Sequence, residues 1–267
     1  MTQFFTGLAV SVLIAYFALR SHSLSTSGAY AAAFVGTVIF GLGGWQWAIP
    51  LLTFFVTSSA LSRAFSNRKR EVTAKYSKGY ERDAGQVFGN GGIATLFAAL
   101  HAFFPNEVWP WLGFTASLAA VNADTWATEL GVLNLKPPRL ITDLTKVVEK
   151  GTSGGISLIG TLASLAGAAL IGILAESLYP EAATVSTFFV ITLAGFTGSL
   201  FDSLLGATVQ AIYFCPNDQK ETEQHPLHAC GTPTSQIRGW KWLDNDLVNI
   251  ACGAFGVLIT QLISGIF

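Results

Sequence analysis

Charge is what this sequence has least of. Its 267 residues include 15 Lys or Arg and 16 Asp or Glu, so charged residues make up 12% of the chain. A soluble domain typically carries about twice that fraction. With 51% apolar residues, so little charge excludes a disordered chain and a charged-heptad coiled coil. Cysteine is scarce too: Cys215, Cys230 and Cys252 cannot frame a disulfide-built secreted domain. The formal net charge of −1 lacks the basic excess of a nucleic-acid binder, so no nucleic-acid partner is expected. Strong linkers and low-complexity tracts are also missing, and residues 1–267 are expected to form a single domain. The first apolar run lacks a basic leader, a transit segment before it and a small-residue cleavage site after it. It is expected to be a retained helix.

What the chain does have is length of apolar sequence. Mean hydropathy is +0.49, and 20 Phe, 7 Trp and 27 Gly are present. Eight runs approach the roughly 20 residues that span a bilayer core. They cover approximately 4–19, 28–42, 45–65, 85–104, 109–130, 155–179, 182–214 and 247–267. The second is short and glycine-rich; the seventh is long enough to tilt, kink or leave the lipid. The predicted fold is all-α, a polytopic transmembrane helix bundle of about eight spans with its active-site loops on the cytoplasmic side.

The basic residues are segregated. Arg20 follows the first run. Arg63, Arg68, Lys69, Arg70, Lys75, Lys78 and Arg82 fill one loop, and Lys136, Arg139, Lys146 and Lys150 a second. A third holds Lys220, Arg238 and Lys241. The turns near 42–44, 105–107 and 179–181 hold no Lys or Arg. Cationic loops resist translocation. The long loops are therefore expected in the cytoplasm and both termini on the opposite side, in a bacterial-type inner or photosynthetic membrane. Trp45, Trp47, Trp109 and Trp111 flank the outer turns, where interface aromatics belong.

Polar groups are expensive in lipid and so mark sites or partners. Four clusters stand out, all toward the cytoplasmic ends of their spans. Asn122, Asp124, Thr125, Thr128 and Glu129 end the fifth run. Asp124 and Glu129, five positions apart, face different sides of a helix; one can bind a metal while the other orients a ligand or neighbouring helix. Gly198, Asp202 and Gly206 repeat every four residues, a small-residue stripe carrying one carboxylate against a neighbouring helix. Lys150, Gly151, Thr152, Ser153, Gly154 and Gly155 form a hydroxyl-bearing glycine turn before the sixth run. Such a turn can cradle phosphate with backbone N–H groups and the helix dipole, though it lacks P-loop spacing; a plain N-cap and turn is the alternative. Asp83, Gln86 and Asn90 share one helical face, as do Asp246 and Asn249. Asp83 and Asp246 can be simple N-terminal acids; the deeper amides are less easily read that way.

Cys215, His225, His228 and Cys230 offer four zinc ligand types in one loop. Their spacing is not that of a standard finger, so a reduced-thiol loop is the preferred reading and zinc is not expected.

The strings RDAGQVFGNGG (82–92), NADTWATELG (122–131), PRLIT (138–142), KGTSGGISLIGTLASLAG (150–167), GSLFDSLLGATVQ (198–210) and WLDNDLVN (242–249) resemble the phytyl-phosphate kinases of the vitamin E pathway. That integral membrane family also contains the animal transmembrane protein nineteen. The resemblance covers nearly the whole chain. It implies a single-domain membrane kinase using CTP or another NTP to convert phytyl monophosphate to phytyl diphosphate, in phytol salvage for tocopherol and phylloquinone. Many relatives carry a second cysteine where this chain has Asp218.

Phosphoryl transfer needs in-line positioning and neutralised charge, usually from Mg²⁺ and cationic groups. On this reading Asp124 and Asp202 are the first candidates for Mg²⁺, followed by Asp246 and Glu129. Lys150 and the turn 151–155 are expected to hold nucleotide phosphates. Arg82 and Arg139 are candidates for the acceptor phosphate or transferring group, and Asn90, Asn122 and Asn249 for orienting ligands. A phosphate monoester acceptor is already ionised near neutral pH, so no strong base is needed. His22, His101, His225 and His228 all lie outside these motifs. The lipid-like isoprenyl monophosphate, a nucleotide triphosphate and the membrane are the expected partners. A transporter of an isoprenoid or another anionic small molecule is the alternative, and it would place its polar groups nearer the midplane.

Overall fold

The computed structural model describes residues 2–65, 81–179 and 187–265. Among them are eight long helices: α1 Thr2–Arg20, α2 Thr26–Gly43, α3 Trp45–Ala64, α4 Ala84–His101, α5 Trp109–Gly131, α6 Leu158–Leu178, α7 Thr187–Thr208 and α8 Asn245–Ser264. Five of these, α1, α2, α6, α7 and α8, are long and apolar enough to cross a membrane by length and composition. Arg68, Lys69, Arg70, Lys75, Lys78 and Glu181 lie outside the described residues.

Caps set the boundaries. Ser157 accepts the Gly160 N–H at 3.1 Å, which starts α6 after residue 155 rather than at it. Asp83 and Gln86 form a reciprocal capping box at α4, and Asp244 accepts the Leu247 N–H at 3.0 Å to open α8. Asp83 is thus a cap, the plainer of its two readings.

The all-α expectation needs a correction. Two long connections fold into three-stranded antiparallel sheets. Between α5 and α6 lie β1 Arg139–Leu140, β2 Asp143–Val147 and β3 Gly155–Ile156, in the order β2-β1-β3. Between α7 and α8 lie β4 Ile212–Cys215, β5 Lys220–Thr222 and β6 Ser235–Arg238, in the order β5-β4-β6. β2 is exposed throughout, so it shows no apolar alternation. β4 is a short, mostly buried strand, and hydrophobicity alone cannot tell such a strand from the end of an apolar helix. The seventh apolar run, which reaches residue 214, therefore ends in a strand and not in helix.

The bundle is built around α5. Every residue from Pro110 to Ala123 is buried, with α3, α4, α6, α7 and α8 packed on it. A helix sealed by other helices presents no face to lipid, so it tolerates Thr115, Ser117 and Asn122 inside. The outer helices carry the opposite pattern: Phe5, Phe17, Leu162 and Phe189 are exposed, as a lipid-facing surface permits.

Close helix approach depends on small residues. A Cβ on Gly198 would lie 2.6 Å from Ala120 Cβ and 3.1 Å from the Cys252 carbonyl oxygen. Gly198→Val is therefore expected to cost at least about 1–3 kcal/mol of stability, read as a lower melting temperature in detergent. Gly92→Ala, where an added Cβ meets nothing within 4 Å, should leave that temperature nearly unchanged.

One end of the bundle collects the cation-bearing connections. Ser25 N–H donates to the Arg82 carbonyl at 3.0 Å and Arg82 N–H to Ser23 at 3.1 Å, tying the α1–α2 and α3–α4 junctions. Ser62 Oγ donates to Glu129 Oε1 at 2.8 Å, bringing the end of α5 alongside. Ser153 Oγ donates to Gln210 Oε1 at 2.9 Å, joining the two sheet-bearing loops. Every Lys and Arg among the described residues belongs to these junctions. At the other end Trp47 packs on His101, Trp111 and Phe114, and Trp111 Nε1 donates to the Ala175 carbonyl at 3.1 Å. Trp47 and Trp111 are each 1% exposed. They are core anchors rather than the interface aromatics expected, whereas Trp45 is 59% exposed.

Candidate functional site

The C-terminal part of α5, the N-terminus of α6, α7 and the turn 150–155 enclose a cavity of about 130 Å³. Asp124 and Thr128 enter from α5, Asp202 and Ser203 from α7, and Ser157, Thr161 and Ser164 from α6. Lys150, Gly151, Thr152, Gly154 and Gly155 complete the wall. Three of the four polar clusters read from sequence thus meet in one space.

The turn owes its shape to glycine. Gly151 and Gly154 have φ values of 80° and 82°, a region costly for residues with a Cβ. A Cβ on Gly154 would lie 2.5 Å from the Ala207 nitrogen, and one on Gly206 2.5 Å from Ser153 Oγ. The glycine stripe of α7 therefore lets this turn press against the helix that carries Asp202. Part of the expected phosphate cradle is already used: Thr152 N–H donates to Glu149 at 3.1 Å and Gly155 N–H to Thr152 at 3.0 Å. Ser153 spends its hydroxyl on Gln210 and is not on the cavity wall.

The cavity lining carries both signs of charge. Asp202 Oδ2 is buried and has no hydrogen-bond partner among the described residues. Asp124 and Glu223 lie within electrostatic range of Asp202, and Glu223 also acts on Asp124. Carboxylates gathered in this way repel one another unless a proton or cation intervenes. The same cavity is lined by Lys150, whose Nζ donates to the Val132 carbonyl at 3.0 Å, and by the N-terminus of α6, which favours anions.

Glu223 and Gln210 are functional candidates that the motif reading missed. Gln210 is 2% exposed, and its Nε2 donates to Glu223 Oε1 at 2.9 Å. It thereby links the glycine turn, through Ser153, to the third carboxylate. An amide closing an apolar run was a usable signal for Gln210. Glu223, just after a three-residue strand, has no such signal.

The other expected site residues lie elsewhere. Asp246 lines an adjoining cavity of about 270 Å³ with Glu223, His225, Lys241 and Asp244, so it meets the acid group through Glu223. Glu129 accepts from Ser62 and faces Arg82; the five-residue spacing separates it from Asp124 as expected, and it is not a cavity residue. Arg82 donates to Ser59 Oγ at 3.1 Å and lies 6.0 Å from the Phe54 ring centroid and 5.9 Å from that of Phe55. Burial pulls its guanidinium below the ordinary value, opposed by Glu129. Arg139 donates to the Leu144 carbonyl at 2.6 Å from an exposed strand. Neither arginine reaches the phosphate turn's cavity.

The asparagines also turn inward to structure. Asn90 Nδ2 donates to Gln86 at 2.8 Å and lines an apolar cavity of about 90 Å³ beside Arg82. Asn122 Nδ2 donates to Gly167 at 2.7 Å, bracing α5 against α6, and Asn249 Nδ2 donates to Asn245 at 3.1 Å within α8. A Cβ on Gly89 would lie 3.0 Å from the Asp246 carbonyl oxygen, so α4 and α8 do meet at the two motifs paired from sequence.

The family model for Integral membrane protein DUF92 matches residues 9–257. The chain is 34% identical over 282 residues to Protein PGR of Arabidopsis thaliana, covering 97% of this chain and 94% of that protein. It is 35% identical over 207 residues to Uncharacterized membrane protein MJ0933 of Methanocaldococcus jannaschii, covering 78% and 83%. It is also 28% identical over 249 residues to Protein VTE6, chloroplastic, of Arabidopsis thaliana, covering 90% and 65%. No solved structure matches.

Proposed function

This chain belongs to the DUF92 family of integral membrane proteins, and on that premise we propose that it is a kinase of isoprenyl monophosphates working at the membrane surface. The observation that carries the reading is this cavity of mixed charge. Asp124 and Asp202, with its orphaned Oδ2, share one lining with a lysine, a glycine turn and a helix N-terminus.

Hard carboxylate oxygens and a buried oxygen lacking a partner suit Mg²⁺. Asp124 and Asp202 would hold it, with Glu223 at the edge; Glu129 and Asp246 are left out of that set by their positions. When bound, Mg²⁺ would neutralise charge on the phosphate oxygens. Lys150, Gly151, Thr152 and Gly154 would bind the phosphates of CTP or another NTP. Arg82 and Arg139, held by their own loops, would position structure rather than touch phosphate, and Asn90, Asn122 and Asn249 would fix the helices around the site.

The acceptor, best read as phytyl monophosphate, brings an ionised phosphate as its own nucleophile. Its tail stays among apolar helices while the phosphate meets the nucleotide at the cation-rich end. That end would face the cytoplasm, with both termini across the membrane. The product, phytyl diphosphate, would feed tocopherol and phylloquinone synthesis by phytol salvage. Placing the polar cavity at helix ends beside loops favours surface chemistry over the midplane binding of a transporter.

The test combines detergent-purified protein with CTP, ATP or GTP and with phytyl, geranylgeranyl or farnesyl monophosphate, and reads diphosphate formation. No product from any pair, together with nucleotide-independent flux into sealed vesicles, would overturn the kinase reading. Within the active protein, Lys150→Ala should raise the nucleotide KM by roughly tenfold, the loss of one charge-assisted phosphate contact.

A further inference from the structure

We infer that the loop between α7 and α8 holds a structural zinc ion on Cys215, Asp218, His228 and Cys230. The inference is independent of the phosphoryl-transfer reading, because it concerns metal content and not turnover.

Two turns bring these residues together. Cys215 ends β4 and is buried; Asp218 follows in the turn toward β5. His228 and Cys230 occupy a second turn, closed by a 2.9 Å bond from His228 N–H to Thr232 and a 2.8 Å bond from Gly231 N–H to His228. The side chains converge: Cys215 Sγ lies 3.6 Å from Cys230 Sγ. His228 Nδ1 lies 3.2 Å from Cys230 Sγ and 3.3 Å from Asp218 Oδ2. All four ligand atoms lie within 4.8 Å of one another.

Those separations suit one tetrahedral ion. Zinc bond lengths and tetrahedral angles place two sulfurs about 3.8 Å apart, nitrogen and sulfur about 3.6 Å apart, and nitrogen and oxygen about 3.4 Å apart. The Cys215–Cys230, His228–Cys230 and His228–Asp218 separations of 3.6, 3.2 and 3.3 Å fall short of these by a few tenths of an ångström, and the remaining pairs lie within 4.8 Å. Two sulfurs, an imidazole nitrogen and a carboxylate oxygen gathered at one point are a donor set that a divalent cation with thiolate affinity binds. Four protein ligands leave no open position, so the site is structural rather than catalytic.

His225, one of the four ligand types that the sequence offers in this loop, is not part of the cluster. In the fold His225 stacks on Tyr213, with ring centroids 4.4 Å apart, and lines the cavity beside Glu223. Asp218 occupies the fourth corner. The ligand pairs flank the segment that carries Glu223, and Gln224 is pinned beside it by a 2.6 Å bond from the Ala229 N–H. The ion would therefore clamp the hairpin that presents Glu223 to Asp124 and Asp202.

Metal analysis of the purified full chain tests this directly. About one zinc per chain is expected, and Cys215→Ser or Cys230→Ser should reduce it at least tenfold. His225→Ala should retain the metal, and Asp218→Cys should retain it because a thiolate replaces a carboxylate. Cobalt(II) in place of zinc should give thiolate-to-metal charge-transfer absorption in the parent chain and in Asp218→Cys. These two spectra decide the matter if the serine variants do not fold. A zinc-free chain that gives no cobalt signal, whether its thiols are free or joined as a Cys215–Cys230 disulfide, would overturn the site. Full zinc occupancy in either folded Cys→Ser variant would do the same.

Discussion

Asp202→Asn should reduce phosphorylation of an isoprenyl monophosphate by on the order of a thousandfold, the scale of losing an electrostatic group that acts on transition-state charge. The same variant should not lose stability. Asp202 Oδ2 is buried without a partner, and two further carboxylates act on it. Replacing it with an isosteric neutral amide removes repulsion that folding otherwise carries. In the presence of a chelator, the variant should melt at or above the temperature of the parent chain, and it should insert into membranes equally well. Asp124→Asn should behave alike, because it faces the same cavity and the same Glu223. A purely structural Asp202 would give the reverse, with lower melting and unchanged turnover. Full turnover by either variant would remove that residue from the metal set.

The pair Asp124 and Asp202 was legible before any geometry because lipid makes the signal clear. A carboxylate on a glycine stripe within an apolar run has few structural excuses. The stripe also carried packing information, since Gly198 meets Ala120 and Gly206 meets Ser153. The apolar runs correspond to the eight long helices among the described residues, while the helix ends needed capping chemistry. What could not be read lies in the loops. Strands of two to five residues leave almost no periodic trace, so the partners they bring together are set by tertiary contact. Glu223 reaches the acid group, and Asp218 replaces His225 beside the two cysteines, for that reason. The two arginines lie away from the cavity of the glycine turn. Arg82 is a suitable phosphate ligand by type, but its surroundings, Ser59, Phe54, Phe55 and Glu129, already engage it. Residue type gives no warning of such prior commitment.

Gly154→Ala is the second large effect, and it separates loop placement from carboxylate chemistry. Two costs add at this residue. Its φ of 82° penalises any L side chain by about 1–2 kcal/mol. The new Cβ would also lie 2.5 Å from the Ala207 nitrogen and 2.6 Å from its Cα, an overlap worth a further 1–3 kcal/mol or so. Gly265→Ala isolates the first cost, since φ is 62° there and an added Cβ meets nothing within 4 Å. The Gly154 variant should therefore melt several degrees below the Gly265 variant and show a sharply raised nucleotide KM. Ala207→Gly should fail to rescue it, because the nearest obstacles include backbone atoms that glycine retains. The overlap can be relieved by moving the turn away from α7, which shifts Lys150 and the glycine backbone relative to Asp202. A cooperative melting transition is the deciding control, because it reads the whole bundle and not this one contact. A variant that still melts cooperatively but loses nucleotide affinity has a displaced turn; one that keeps full nucleotide affinity despite its lowered melting temperature would remove this turn from phosphate binding.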